Sequence, residues 1–360
     1  MFYNQKVDFH SHYLSPTYVE YLNKYEGDKP DSFPTPKWDI DKHISLMDKL
    51  GIAVSFISVS SPNLSKADRK TEKEMVHKIN IEGMEYVEQY PNRLGLFAGL
   101  PLPNVKDSIE EARFALDELK ADGFGLSTNY AGIYLGDGIY DELMEFLDTI
   151  GAVVAVHPTK PSELPKGINS DVPIPTMEFF MDTTRTFMHM VMHNIFGRYP
   201  NIKWIFPHAG AFLPILSDRV NSFSILMKQN KPDIPLDFKM DMNHVYFDLA
   251  GFPLQKQLHA LLKDVKTENL VYGSDTPYTP DIACIALSGG LETISFLSKD
   301  EKDKIFMKNA VLLVPRLADI LGIKQNAKTV CYSDKPLNIK EKVSRTMRNI
   351  VFKIYNIIFN

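Results

Sequence analysis

Short apolar runs recur along the chain at wide spacing, and the stretches between them repeat apolar residues at helical intervals. In order, the runs are Lys6–His10 (KVDFH), Val54–Ser60 (VSFISVS), Leu94–Leu100 (LGLFAGL), Gly123–Thr128 (GFGLST), Val153–His157 (VVAVH), Ile202–His208 (IKWIFPH), Val245–Ala250 (VYFDLA) and Leu270–Asp275 (LVYGSD). Most are near-continuous rather than alternating, as parallel strands covered by helices must be. Between them, Asp107–Lys120 predicts a helix: it opens on an Asp-Ser capping signal and sets Ile109, Ala112, Leu116 and Leu119 on one face. Asp141–Ile150 and Asp182–Phe196 carry similar apolar faces. Eight such β–α repeats predict an α/β fold, a (β/α)8 TIM barrel. A doubly wound open sheet is the rival, but no GxGxxG follows any of the runs.

Two connections are too long to be plain loops. Tyr13–Lys37 follows the first strand. Lys160–Thr176 follows the fifth and carries four prolines after Lys160, which predicts a stiff lid or rim. Both leave the C-terminal ends of strands, where barrel enzymes build their sites. The expected organisation is one catalytic barrel over residues 1–325, then a linker and tail over 326–360. Within that tail, Asn338–Asn360 holds five basic residues and one acidic residue, with Val343, Met347, Ile350, Ile354 and Ile358 at helical spacing. It reads as a basic amphipathic helix that packs on the barrel or a sister subunit, with peripheral contact to an anionic membrane as the alternative.

Composition narrows the field. The 360 residues are 44% hydrophobic and 24% charged, ordinary values for a globular chain, and the net charge of −5 provides no global field for nucleic acid. Cys284 and Cys331 cannot build a disulfide framework, no apolar run approaches a membrane span, and no charged-then-apolar leader opens the chain. A cytoplasmic protein is expected.

The candidate chemistry lies at strand ends. His10 and His12 form an H-x-H pair where the first strand ends, and strand alternation turns both imidazoles to one side. His157 closes the fifth run, His208 the sixth and Asp275 the eighth. A barrel gathers the C-terminal ends of its strands on one rim, so these five residues should converge. His189 and His193 stand at i,i+4, but the Glu of HExxH is missing. Asp248 ends the seventh run, with lining the pocket and hydrogen bonding to backbone as equal readings.

HSH, VHPT, PHAG and GSDTP, in this order and spacing, resemble the metal-dependent amidohydrolase superfamily, and within it the decarboxylase branch typified by aminocarboxymuconate-semialdehyde decarboxylase. The stretches GFGLSTNYAGIYLGD, MDTTRTFMHMV and HAGAFLPILSDR are similar to the methylsalicylate and hydroxybenzoate decarboxylases of that branch. The resemblance covers Lys6 to about Leu321. It implies that His10, His12, His157 and Asp275 hold one divalent ion, zinc first and manganese second, with Asp275 as proton donor and His208 as a polarising or relaying group. The bridging lysine of two-metal relatives has no counterpart: GFGLSTN contains none, and Lys160 lies three residues past His157. Arg219 would bind a substrate carboxylate in the neighbouring subunit's site, which implies a homodimer, or it pairs with Asp218 on the surface. Arg185 is a further rim candidate, with a helix-start ion pair as its alternative. Trp38, Tyr130, Phe212 and Tyr278 are candidates for an aromatic wall, with core packing as the alternative; Phe212, four residues after His208, is the strongest of them. The expected reaction is decarboxylation of a small aromatic or unsaturated carboxylic acid, an ortho-hydroxybenzoate first. Hydrolysis of a lactone, amide or ester through the same ion is the alternative, and a non-catalytic metal-binding scaffold a third.

Overall fold

The computed structural model describes residues 3, 5–164, 167, 172–230, 236–326 and 329–331. The expected tail helix at Asn338–Asn360 and the centre of the Lys160–Thr176 connection lie outside the described residues.

Eight strands form one sheet: β1 (Lys6–His12), β2 (Ile52–Ser58), β3 (Leu94–Ala98), β4 (Gly123–Ser127), β5 (Val153–His157), β6 (Lys203–Phe206), β7 (Tyr246–Asp248) and β8 (Leu270–Val271). They pair in that order, all parallel. Bridges Asp8–Tyr272 and Ser11–Thr276 bring the last strand back to the first, where the Phe9 N–H donates to Tyr272 O at 3.0 Å and the His12 N–H to Thr276 O at 2.8 Å. The result is the (β/α)8 barrel that the spacing of the apolar runs predicts. Strand residues such as Val7, Val54, Phe56, Leu96, Phe124, Val154, Trp204 and Phe247 are at most 1% exposed, so both faces of the sheet are covered. A hairpin of Lys324–Asn326 with Thr329–Cys331 follows the barrel.

Several boundaries differ from the sequence expectation. The helix expected at Asp107–Lys120 runs from Val105 to Asp117, with Asn104 at its cap position. Asp107 does not cap: its carboxylate is taken sideways by Arg69 at 2.6 Å and Lys73 at 3.0 Å. β6 and β8 stop short of His208 and Asp275, which stand beyond the strands on left-handed backbone, φ 55° and 61°. Most consequential is the helix expected at Asp182–Phe196, which begins eight residues earlier and spans Ile174–Met192. Pro175 sits in its first turn, where a missing N–H costs nothing, so a residue that reads as a helix breaker is a helix starter.

That longer helix is tied to the barrel through Asp182, which is fully buried and accepts hydrogen bonds from Thr128 Oγ1, from Asn129 Nδ2 at 2.9 Å and from the Tyr134 hydroxyl at 2.6 Å. The anchor fixes how Phe179 and Phe180, on the preceding turn, sit against the C-terminal rim. Among the described residues no helix is long and apolar enough to cross a membrane.

Candidate active site

β1 supplies the first two site residues. Its alternation and burial place His10 and His12 side by side, ring centroids 5.0 Å apart, both at most 4% exposed. His157, the last residue of β5, stands 4.7 Å from His12 and 5.3 Å from His10 between ring centroids. Asp275 closes the group: its Oδ1 lies 3.4 Å from His10 Nε2 and 3.3 Å from His12 Nε2. One ligand atom from each of the four residues falls within 4.8 Å of every other.

Outer contacts set the tautomer of each ring. His10 Nδ1–H donates to Asp248 Oδ2 at 2.8 Å, His12 Nδ1 lies 3.3 Å from the Ser58 carbonyl, and His157 Nδ1–H donates to the Pro158 carbonyl at 2.7 Å. Each bond leaves Nε2 with its lone pair turned inward. Nε2 of His10 and of His12 is buried with no hydrogen-bond partner. Buried polar atoms rarely go unpartnered, so two that converge beside a carboxylate fit a divalent cation. Three imidazoles, one carboxylate and open space beyond them are the donor set of a catalytic single-metal centre.

Electrostatics agree with that assignment for His12, His157 and Asp275, whereas His10, held between two carboxylates, would release a proton as a cation binds. Burial, with the neighbouring His12 and His10 adding to it, holds His157 well below the usual imidazole range, and burial also lowers His12. Burial works against charge on His10, but Asp248 and Asp275 outweigh it and raise His10. Burial would push Asp275 up, and the His10 and His12 rings beside it reverse the sign and hold it well below the carboxylate range. Two neutral rings and an ionised carboxylate are the protonation states a cation needs.

His208 stands at 5.1 Å from His10 between centroids and stacks on Phe180 at 5.5 Å and 16°. It opens a run of left-handed residues, His208, Ala209, Gly210 and Ala211, held by Asp248 Oδ1 on the His208 N–H at 3.0 Å and by Gln257 Nε2 on the carbonyls of His208 and Ala211. Burial, then repulsion from His10, pushes its pKa down to about 4. Its Nδ1 is buried without a partner. Gly251 is required here: with φ at 75°, a Cβ on it would sit 2.8 Å from His208 Cδ2. Asp248 therefore orients one metal-site histidine through one oxygen and the backbone of His208 through the other.

A cavity of about 370 Å3 opens over this cluster, within the range of roughly 300–1,000 Å3 typical of small-molecule sites. His157, His208 and Asp275 form its polar floor, Phe179, Phe180 and Tyr278 an aromatic wall, and Asp31, Ser60 and Ser61 a polar wall. Tyr278 stands edge-on to His12 at 5.6 Å.

Some expected residues are elsewhere. Phe212 does not line the cavity; it packs edge-on against Phe180 from behind, at 5.6 Å. Arg219 is exposed on the helix Leu213–Asn230, its guanidinium 5.0 Å from the Phe223 ring, and it does not reach this chain's cavity. Arg185 lies outside the cavity with Glu178 at 4.0 Å. Trp38 packs on Tyr13 and Tyr86, and Tyr130 is buried below the rim. His189 and His193 contact each other at 4.1 Å, yet among the described residues only the His10 cluster has metal-binding geometry. Sequence reasoning passed over Phe179, Phe180 and Asp31. The first two were hidden by the late helix start, and Asp31 lies in the long connection whose residues carry no periodicity.

Four metal-competent side chains on the C-terminal rim of a (β/α)8 barrel, three of them imidazoles with inward Nε2 atoms, define a metal-dependent barrel enzyme class. The chain belongs to the amidohydrolase family, whose sequence profile matches residues 7–316. It is 30% identical over 325 residues to the decarboxylase macB of Penicillium terrestre, covering 86% of this chain and 95% of that one. It is 28% identical to the 6-methylsalicylic acid decarboxylase of Penicillium expansum, over 88% of this chain and 98% of the relative. Among solved structures, an amidohydrolase II crystal structure superposes with a TM-score of 0.82 at 39% identity, over 86% of this chain and all of that one. The dihydroxybenzoic acid decarboxylase of Polaromonas sp. JS666, crystallised with manganese and the inhibitor 2-nitroresorcinol, has the same fold, with a TM-score of 0.73 at 21% identity over 88% and 99% of the two chains.

Proposed function

We propose that this protein is a metal-dependent carboxy-lyase that removes CO2 from a small hydroxybenzoate. The observation that carries the reading is the convergence of His10, His12, His157 and Asp275, with the Nε2 atoms of His10 and His12 buried and unpartnered. The decarboxylase relatives give the reaction class. A divalent ion held by His10, His12, His157 and Asp275 would supply positive charge that favours a carboxylate and an adjacent phenolic oxygen. The donor set suits zinc, and the Polaromonas enzyme of the same fold holds manganese.

This chain's own groups account for the proton. Asp275 is ionised in the resting site and can take the phenolic proton of the incoming acid. It then delivers that proton to the ring carbon bearing the carboxylate, the carbon–carbon bond breaks, CO2 leaves and the ring electrons return to the arene. The phenolate left behind takes up a proton from solvent, with neutral His208 as the polarising or relaying group. Phe179, Phe180 and Tyr278 hold the ring, and Phe212 supports Phe180 from behind. No lysine or arginine is among the described residues lining the cavity. Arg219, exposed on its helix, is free of this chain's site and would meet a substrate carboxylate across a homodimer interface. Residues 1–325 would form the catalytic unit of a cytoplasmic enzyme, with 326–360 as an appended tail that packs on the barrel or a sister subunit.

The test is CO2 release by purified, metal-loaded protein from a panel of hydroxybenzoates, with Asp275→Asn as control and metal content of His10→Ala measured alongside. Release by wild type alone, with metal lost from His10→Ala, is the expected result. No release from any acid, with activity on lactones or amides, would replace the lyase by a hydrolase.

A further inference from the structure

One acidic side chain in the cavity has no role in the reaction above. Asp31 comes from the long connection after β1, in the turn Pro30–Ser32, where it and Ser32 both adopt left-handed backbone, φ 50° and 65°. Such strain in non-glycine residues persists only where the surroundings enforce it, and Asp tolerates it better than most. The enforcing contact is Ser61, whose hydroxyl donates to Asp31 Oδ2 at 2.6 Å. Ser61 Oγ is in turn 2.9 Å from Thr159 Oγ1, so Thr159 donates to Ser61 and Ser61 to Asp31. A carboxylate oxygen can only accept, which fixes the direction of this chain. It runs from Thr159, two residues after the metal-site His157, to the far wall of the cavity.

Asp31 Oδ1 has no hydrogen-bond partner among the described residues. Asp31 also forms part of the partition to a second, polar cavity of about 420 Å3 that holds Lys29, Lys66 and Lys160. Lys160 and Lys66 act on Asp31 through space and lower its carboxyl, but neither forms an ion pair with it among the described residues, and Lys66 is engaged by Glu26 at 2.5 Å. An acid facing a cavity for anionic substrates is unfavourable unless the substrate brings a donor to it. Burial already raises the Asp31 carboxyl to about 6, the effect that a substrate donor would offset.

We propose that Asp31 is a specificity-determining residue: its free oxygen accepts a hydrogen bond from a second hydroxyl on the ring, away from the carboxylate held at the metal centre. The preferred ligand class is then a benzoate with at least one hydroxyl beyond the ortho position that faces the metal. This assignment rests on the reading of the cavity as a hydroxybenzoate site and adds which hydroxybenzoates it selects. A charged acceptor discriminates a hydroxyl from its methyl ether by about 10- to 100-fold, since the ether removes the donor and leaves Asp31 unpaired.

The experiment is calorimetric binding to zinc- or manganese-loaded protein. The ligands are 2-hydroxybenzoates carrying either a hydroxyl or a methoxy group at each remaining ring position in turn. Wild type is expected to prefer the hydroxyl by about 10- to 100-fold at one position or more. Asp31→Leu should bring that ratio to within about threefold, and Asp31→Asn, which keeps the left-handed turn, should reduce it about tenfold. A ratio that stays at its wild-type value in Asp31→Leu or in Asp31→Asn overturns the proposal, as does a parallel loss of both ligands that leaves the ratio intact. A wild type that binds every pair equally also overturns it. Because the readout is binding, an Asp31-dependent preference without CO2 release would reject the reaction and keep this assignment. CO2 release with no preference would do the reverse.

Discussion

The two ends of β1 bury polar groups with opposite outcomes. At its start, Lys6 is fully buried, and its ammonium meets the Glu292 carboxylate and the carbonyls of Leu50, at 2.6 Å, and Tyr3, at 3.4 Å. Next along the strand, Asp8 is fully buried and accepts from the N–H groups of His10 and Ser274 and from the Ser274 hydroxyl. Four and six residues after Lys6, the same strand buries His10 and His12 with Nε2 atoms that have no hydrogen-bond partner among the described residues. At the lower end the Lys6 ammonium and the Asp8 carboxylate each meet protein groups and tie β1 to the residues around it. The Nε2 atoms at the upper end stop one partner short, which is the mark of a ligand site rather than a structural network. Burial does not separate Lys6 and Asp8 from His10 and His12; whether each meets a protein partner does.

The largest way to break this comparison is Asp275→Asn. If the upper cluster is chemical, CO2 release should fall by about 10^2- to 10^4-fold with the denaturation midpoint little changed. Retained turnover would place the upper cluster with the lower one. The mirror experiment is Lys6→Met, which leaves Glu292 buried beside an apolar partner. Urea unfolding should show a loss of about 3–5 kcal/mol, whereas Lys6→Met with Glu292→Leu should recover most of it. A single variant as stable as wild type would mean the lower pair holds nothing.

Asp248 joins both kinds of role, since it orients a metal-site ring and also pins the backbone of His208 and Ala250. Asp248→Asn should weaken metal affinity about 10- to 100-fold, measured by competition with a chelator; unchanged affinity would make its link to His10 incidental. The smallest effect concerns His43, buried next to Trp38 away from the cavity. Burial lowers its pKa to about 4 from 6.5, so the unfolded chain binds the extra proton between those values. His43 therefore costs no stability above about pH 6.5 and an increasing amount as pH falls towards 4, with a slope of at most about 1.4 kcal/mol per pH unit. His43→Gln should flatten the acid side of a stability–pH curve by up to one proton. An identical curve would show that another group carries the slope.

Much of the site was legible before folding. HSH, VHPT, PHAG and GSDTP each put a ligand-type residue where an apolar run stops, and a barrel has only one rim to receive them. Of the aromatic wall Tyr278 was legible, but Phe179 and Phe180 were not, because Pro175 reads locally as a stop and only the anchoring of Asp182 on Thr128, Asn129 and Tyr134 shows the helix continuing through them. Phe212 was close in sequence to His208 but ended one layer back, behind Phe180.

The sequence by itself determined the barrel, since eight buried parallel strands need eight apolar runs, and it marked His10, His12, His157 and Asp275 as residues that converge on one rim, since strand ends and residue chemistry are local properties. The tertiary structure alone decided which Nε2 atoms lack partners, that Asp248 serves two histidines, and that Asp31, far from any motif, faces the cavity. Those are matters of which groups distant in the chain come within about 3 Å of each other, the reach of a hydrogen bond, and no periodicity along the chain encodes that distance.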